Sequence, residues 1–417
     1  MLSPADAARL ILEQVRPLSP VRRPLRDALD LVLAEDVTSP IDLPAWDNSA
    51  MDGYALRSSD LLGKGPIQLR VVETVPAGLF PSKAIAPGEA TRIFTGAPLP
   101  QGADTVVRQE DTEPLPGERV EITVPPEAGR NIRRRGEDIR RGETVLTAGT
   151  PLGPAQLGVL ASIACAEPLV HPAPHVAFLG SGDEIVDLDR RDEILAGRKV
   201  ATSNSYTLHA NIRRAGGVPL ELGVAADSRA SLRALFERIR HSDARLVVST
   251  AGVSVGEHDL VREVLTALGG ELKAWRIRMR PGAPVGIGTL FGRPWIGLPG
   301  NPVSTMVTFE LFVRPAIRRL LGHRLPFRRT VPVVVEEPIT LGPKLRHFLR
   351  ALARPGTGNE ARFVVRLTGP QGSGILTSMA RANALLIVPE DRQAVSAGEV
   401  LSAILLDDPE HVAEPPF

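Results

Sequence analysis

From residue 175 the chain alternates short apolar runs with amphipathic stretches, and few folds accept that order. Residues 175–180, 219–224 and 245–250 read as buried strands, and 203–215, 228–240 and 258–268 carry apolar side chains at helical spacing between them. Further strands are predicted near 272–279 and 294–298, then a helix from Pro302 to about Leu321. Strands alternating with helices imply a doubly wound, mostly parallel sheet with helices on both faces. Ligands of such sheets sit in the crevice at the carboxyl ends of the strands. The loops at those ends are therefore the first candidates for chemistry.

In Leu179-Gly180-Ser181-Gly182-Asp183-Glu184, glycines let backbone amides approach a ligand and the acids suit a cation. Alone, the phrase reads equally as a tight turn. Residues 249–259 set Gly252, Ser254 and Gly256 between an apolar strand and a helix start. Glycines and hydroxyls there suit a phosphate nest backed by the helix dipole; support of the helix start by Asp259 is the plainer role. In Leu298-Pro299-Gly300-Asn301-Pro302, Asn301 suits an N-cap and Pro302 the first helical position. Asn204 likewise reads as a helix cap. None of these loops has P-loop spacing, which disfavours nucleoside triphosphatase chemistry of that type.

The flanking regions differ. Residues 4–16 fit an amphipathic helix with Ser3 as N-cap and Pro4 in its first turn. A second helix is predicted over 24–34 and a third over 154–163. Residues 66–150 alternate in short runs (68–75, 105–109, 119–124) separated by Pro and Gly, an all-β pattern. Pro168, Pro172 and Pro174 mark a linker. Strands return at 331–335, 362–367, 384–388 and 400–406, as a small barrel or sandwich. Among them Gly369-Pro370-Gln371-Gly372-Ser373-Gly374 reads as an anion nest or a hairpin loop.

A net charge of +1 and 4% aromatic residues leave no footprint for nucleic acid or an anionic membrane. Cys165 is the only cysteine, so no intrachain disulfide or cysteine-built zinc site forms in one chain. The histidines show no HExxH spacing. With no basic-then-apolar leader and no run of eighteen apolar residues, neither a signal peptide nor a membrane span is expected, and a cytoplasmic location is.

The densest polar phrase is Asp47-Asn48-Ser49-Ala50-Met51-Asp52-Gly53-Tyr54-Ala55. Small polar side chains in that number are costly to bury without partners. They suit a capped turn, or a site for a metal or polar ligand. After it come Thr95-Gly96-Ala97-Pro98-Leu99-Pro100, Arg135-Gly136-Glu137-Asp138-Ile139, Gly252-Val253-Ser254-Val255-Gly256-Glu257-His258-Asp259 and Gly297-Leu298-Pro299-Gly300-Asn301-Pro302. The ordered set resembles the molybdopterin molybdotransferase family, the MoeA and gephyrin E-domain enzymes, over nearly the whole chain.

That resemblance implies a multidomain α/β plus β fold. A helical linker domain would be built from 1–40 and 139–168, with a β-rich lid over 41–138. A doubly wound α/β molybdopterin-binding domain would span 169–325 and a small C-terminal β-barrel 326–417. It implies insertion of molybdate into adenylylated molybdopterin, with Mg²⁺ and release of AMP. Asp52, Thr95, Asp138, Glu184 and Asp259 then serve catalysis, and Asp52, Asp138, Glu184 and Asp259 are the metal ligands, since Mg²⁺ takes a few carboxylates plus phosphate oxygens and waters. Asp183, Asp227, Gly252, Ser254, Gly256, Arg280, Pro299, Asn301 and Ser373 bind the molybdopterin, with Arg346 or Arg350 beside them. A homodimer is implied, with the lid of one chain approaching the α/β pocket of the other, and a molybdopterin adenylyltransferase as upstream partner.

One phrase departs from the family. Its Lys-Pro-Gly-Lys-Pro reads Arg280-Pro281-Gly282-Ala283-Pro284 here. Arg280 keeps a charge, in a chain whose only lysines are Lys64, Lys83, Lys199, Lys273 and Lys344. Ala283 removes one outright. Arg and Lys are not equivalent at a tight anion site, and Arg276 or Arg278 is expected to substitute. Arg130, Arg133, Arg134, Arg135, Arg140 and Arg141 read as a solvated basic loop or as an anion clamp. Two other functions compete: an adenylyltransferase-like enzyme built on the same α/β domain, and a non-catalytic gephyrin-like scaffold. The phrases outside 175–320 favour the transferase, and no extended linker or docking tail favours the scaffold.

Overall fold

The structure, a computed structural model, describes residues 1–62, 67–251, 260–342, 344–356 and 363–407. At its centre is the sheet that the alternation predicts. Strands β1 (His175–Ser181), β2 (Val218–Ala225), β3 (Leu246–Thr250), β4 (Glu271–Arg276), β5 (Pro284–Leu290) and β6 (Arg293–Leu298) lie in the order β2-β1-β3-β6-β5-β4. The first four in that order are parallel; β5 runs antiparallel to both β6 and β4, so β4 points the same way as the first four.

Period-two alternation sorts the side chains onto two cores. Val176, Phe178, Val248 and Leu298 pack with Leu208 and Ile212 of α1 (Ser203–Arg214) and with the helical stretch that begins at Pro302. Ala177, Leu179, Val247 and Trp295 pack on the other face with α2 (Arg229–Arg240) and α3 (Leu260–Ala267). The Ser228 side chain caps α2 by accepting from the Ser231 amide. The chain thus winds one way through α1 to β2, then back through α2 to β3.

Several elements differ from expectation, each for a physical reason. Residues 24–34 form only a short 3-10 turn (Leu25–Asp27) and a strand (Val32–Leu33), not a helix. Asp30 sits at φ 63°, and Leu33 pairs with Val170 in a ribbon that also includes Val21–Arg22. The proline-rich linker therefore supplies a strand, Leu169–His171. Strand β5 escapes sequence reading because Gly286 and Gly288 interrupt its pattern; β4 passes so close that a Cβ on Gly288 would meet Glu271 O at 2.0 Å. The stretch predicted as one helix from Pro302 passes through a π-helical turn at Phe309–Val313 before Arg314–Leu320. Pro315 lacks the N–H that an α-helical ladder needs at that point.

The C-terminal region closes on itself. Thr330–Val335, Arg346–Pro355, Phe363–Leu367, Ala384–Val388 and Val400–Leu405 form a five-stranded barrel. Val333, Leu349, Ala351 and Leu386 fill it. Phe348, Leu385 and Ile404, of opposite parity, pack instead into the α/β core and dock the barrel there. The short strand Met279–Arg280 also pairs with Arg346 and His347.

The N-terminal helix (Pro4–Glu13) buries Ala7, Ala8 and Ile11 in that same α/β core. Val37–Thr38 pairs with Thr144–Leu146, so the segments before and after the lid meet. The lid itself is a six-stranded sheet among the described residues: Thr105–Arg108, Gly53–Leu56, Glu89–Ile93, Ile67–Val75, Arg119–Ile122 and Thr112–Leu115, in that order. Among the described residues no helix is long and apolar enough to cross a membrane.

Phe236 is fully buried under the sheet. Phe236→Ala should destabilise the protein by about 3–5 kcal/mol, read as a lower urea midpoint at unchanged slope. A loss below about 1 kcal/mol would mean that this face is not tightly packed.

Candidate functional site

Strands β1 and β3 are neighbours, yet their outgoing connections run in opposite directions. A cleft of about 460 Å³ opens at their carboxyl ends. Gly180 and Ser181 line it from β1, Thr250 and Ala251 from β3, and Pro299, Gly300 and Asn301 from the loop after β6. Glu184 is exposed at this cleft. Asp183 and Asp227 clasp the loops after β1 and β2: the Asp227 amide donates to Asp183 Oδ1 at 2.9 Å, and the Asp183 amide to Asp227 Oδ2 at 3.4 Å. Gly252, Ser254, Gly256 and Asp259 lie outside the described residues.

Two amides expected as caps do something else. Asn204 does not cap α1, whose N-cap is Thr202; its Nδ2 donates to Gly300 O at 2.7 Å and ties the helix to the loop opposite. Asn301 sits at the N-cap position but makes no side-chain capping bond. Its Nδ2 donates to Ser373 Oγ at 3.0 Å, and the Val303 amide donates to Ser373 O at 3.2 Å. The glycine phrase of the C-terminal region is therefore neither a free nest nor a simple hairpin loop. It seals the start of the helix at Pro302, beside the cleft.

A second cavity of about 380 Å³ adjoins that phrase, lined by Arg280, His347, Arg350 and Gly372 among others. Arg350 is fully buried. Its Nε donates to Ser378 Oγ at 3.1 Å and its Nη2 to Gly372 O at 3.0 Å, both neutral acceptors. Burial pushes its pKa down to about 10, so it remains a cation at neutral pH. Burial, and then the Arg280 charge, also lower the His347 pKa. A buried guanidinium bonded to neutral groups is costly until an anion joins it. This separates Arg350 from Arg346, which faces an apolar cavity instead. Parity places Arg346, Phe348 and Arg350 on the same outward face of the strand, so the sequence pattern did not separate the two arginines. Arg278, expected to replace the missing lysine, is engaged elsewhere, donating to Glu390 Oε2 at 3.2 Å and to Met1 O at 2.8 Å.

At the lid, Asp52 and Thr95 meet. Asp52 Oδ1 accepts from both the Thr95 amide and its hydroxyl, each at 2.8 Å. These two bonds hold the Asp52 carboxyl below the usual range, the amide contributing most. Gly53 permits the arrangement, because a Cβ there would lie 1.8 Å from Val107 O. Asp138 is exposed on the return crossing from the lid, its amide donating to Leu43 O. Within the basic loop, Arg134 pairs with Asp47 at 2.7 Å and Arg135 with Asp42 at 2.6 Å, so these two brace the lid crossing rather than stand free for an anion. Among the described residues no three His, Cys, Asp or Glu side chains come close enough to share a metal ion. Of the acids expected as ligands, the three that are described, Asp52, Asp138 and Glu184, are therefore not gathered in one chain.

Three family models match in succession. The MoeA N-terminal region (domain I and II) covers residues 2–164, a probable molybdopterin binding domain 177–319, and the MoeA C-terminal region (domain IV) 332–406. The chain belongs to the MoeA family. It is 36% identical over 411 residues to molybdopterin molybdenumtransferase 2 of Mycobacterium tuberculosis (strain ATCC 25618 / H37Rv), across 96% of this chain and 98% of that one. Identity is also 36%, over 380 residues, to molybdopterin molybdenumtransferase of Nostoc sp. (strain PCC 7120 / SAG 25.82 / UTEX 2576), covering 88% of this chain and 84% of the relative. The crystal structure of molybdopterin biosynthesis moeA protein from Pyrococcus horikoshii OT3 matches with a TM-score of 0.80 at 27% identity, across 97% of this chain and 100% of that one. MoeA likeness runs through the lid and both flanking regions, so the α/β domain alone does not account for it.

Thr95→Val removes one of the two bonds to Asp52. In a carboxyl NMR titration the Asp52 midpoint should rise toward the ordinary Asp range; an unmoved midpoint would show that the hydroxyl contributes nothing. Because the folded-state pKa is depressed, the Asp52–Thr95 contact in the wild type should persist as pH falls through the ordinary Asp range and be lost only below it.

Proposed function

We propose that this chain transfers molybdenum to molybdopterin, as a molybdopterin molybdenumtransferase of molybdenum cofactor biosynthesis. One observation carries the reading: the switch-point cleft and the cationic cavity are joined by two loops. Residues 280–284 give Arg280 and Pro281 to the cavity and Pro284 to the cleft. Residues 371–373 give Gln371 and Gly372 to the cavity and Ser373 to Asn301. A pterin phosphate in the cleft would thus have an oxyanion waiting beside it. Guanidinium forks match tetrahedral oxyanions, and Arg280 with Arg350 leaves two cations where Ala283 has removed one.

The substrate is adenylylated molybdopterin, and cleavage of its phosphoanhydride releases AMP as molybdate enters the dithiolene. Asp183, Asp227, Gly252, Ser254, Gly256, Pro299, Asn301 and Ser373 hold the pterin phosphate. Mg²⁺ fits as cofactor: it needs only one or two carboxylates beside phosphate oxygens, and Glu184 stands exposed at the cleft. Glu184 and Asp259 would hold it together with Asp52 of the partner subunit and Asp138 of the partner subunit. The ion supplies charge neutralisation on phosphate, and Thr95 orients Asp52 for its part. A homodimer accords with exposed Leu325 and Phe327 and with the separation, among the described residues, of Asp52 and Asp138 from Glu184. The units would be 1–40 with 139–168, 41–138, 169–325 and 326–417, acting in the cytoplasm downstream of a molybdopterin adenylyltransferase.

The test is to incubate purified protein with adenylylated molybdopterin, Mg²⁺ and molybdate, and to measure AMP and cofactor-bound molybdenum together. Coupled release and insertion supports the reading; binding without turnover counts against it. Arg350→Ala should raise the molybdate concentration needed for half-maximal insertion at least ~10-fold, the size of effect expected when one charged hydrogen-bonding partner is lost. Mixed Asp52→Asn and Asp259→Asn subunits should regain part of the activity. No recovery in proven heterodimers would argue against a site shared between chains.

A further inference from the structure

The lid exposes an aromatic pair at the same end of its sheet as Asp52 and Thr95. Ile93 lies in register with both Gly53 and Val75, so three strands end in one row. Asp52 enters at that rim, Phe94 and Thr95 leave at it, and the turn after Val75 begins there. That turn carries Leu79 and Phe80, 59% and 64% exposed. The backbone at 47–49 runs beside 97–99, with Ser49 N donating to Ala97 O and Leu99 N to Asp47 O, each at 3.0 Å. Trp46, 40% exposed, is thereby delivered to the same turn. Its ring meets Phe80 edge to face, with centroids 4.9 Å apart and planes at 64°.

The rim also holds a cation. The Arg92 guanidinium lies 4.9 Å from the Tyr54 ring centre and 5.1 Å from that of Phe94. Its hydrogen bonds go to Gly53 O and Gln109 Oε1, both neutral, and its charge reaches Asp52. An exposed π surface, a cation on neutral partners, a hydroxyl and a carboxylate therefore share one edge. A purine nucleoside monophosphate has the matching parts, a flat apolar base and an anionic phosphate. A protein partner would match the apolar pair but leave Arg92 and Thr95 without a role.

We propose that Trp46 and Phe80 form a stacking platform for the purine base of the nucleotide half of the substrate. The proposal rests on the reading above that the substrate is adenylylated. Stacking on an aromatic face is tolerant of base identity, so the platform distinguishes a nucleotide from a bare phosphate rather than adenine from guanine.

The probe is AMP, titrated into the full-length protein. Quenching of tryptophan fluorescence is expected in the wild type, and the part due to Trp46 should be lost in Trp46→Phe, whose remaining emission comes from Trp275 and the buried Trp295. Trp46→Ala and Phe80→Ala should each weaken AMP binding about 10-fold, the scale of one stacked base. Ribose 5-phosphate, which lacks the base, should bind wild type and variants alike. AMP affinity unchanged in both variants overturns the proposal. Unchanged AMP affinity with a shift in sedimentation also overturns it, and gives the patch to a second copy of the chain. The failure of each idea is separable: quenching that depends on Trp46 without molybdenum insertion sinks the transferase reading alone. Insertion with AMP affinity indifferent to both variants sinks the platform alone.

Discussion

Covering one parallel sheet on both faces forces the chain to reverse its direction of winding, and the rest of this structure depends on that reversal. A strand buried on two sides needs helices above and below it. Here α1 serves one face and α2 and α3 the other. The chain must then pass from one side of β1 to the other, and the connections at β1 and β3 diverge. The cleft is what that divergence leaves open. Its walls are backbone-rich because strand ends and glycine loops meet there, and two amide side chains, Asn204 and Asn301, tie those walls to neighbouring elements.

The barrel is held against this framework by its outward parity. Phe348, Leu385 and Ile404 belong to the α/β core although their strands belong to the barrel. Arg350 lies on the same outward face, and docking buries it together with its charge. The guanidinium holds the Gly369–Gly374 phrase through Gly372 O and the following helix through Ser378 Oγ. Stability alone would favour an apolar side chain there. On the proposed reading, a retained buried cation beside the cleft is half of an anion site. On that reading the two guanidinium groups that line the cavity, Arg280 and Arg350, stand in for the charge that Ala283 lacks.

Most of the fold was legible because burial writes itself into periodicity. The strands at 175–180 and 245–250 and the helices between them follow from apolar spacing. What escaped was decided by partners distant in sequence. Strand β5 is built around glycines that β4 demands, and 24–34 becomes turn and strand because Leu33 finds Val170. The proline linker becomes a strand for the same reason. At the site, the phrases around Asp52, Thr95, Glu184 and Asn301 were visible as dense polar motifs. The roles of Asn204, Arg278 and Arg350 were not, because a side chain's partner across domains leaves no local mark.

By itself the sequence determined the β-α alternation from residue 175, the two-sided sheet and the family, since all three reside in spacing and in ordered short phrases. Only the tertiary structure decided that Arg350 rather than Arg346 is the buried cation, that Arg278 is already engaged, and that Asp52 is set by Thr95. It also brought Trp46 and Phe80 together at the rim that carries Asp52. Hydrogen bonds and ring contacts of that kind depend on where chain segments far apart in sequence come to lie, and a periodic pattern records only which way each side chain faces.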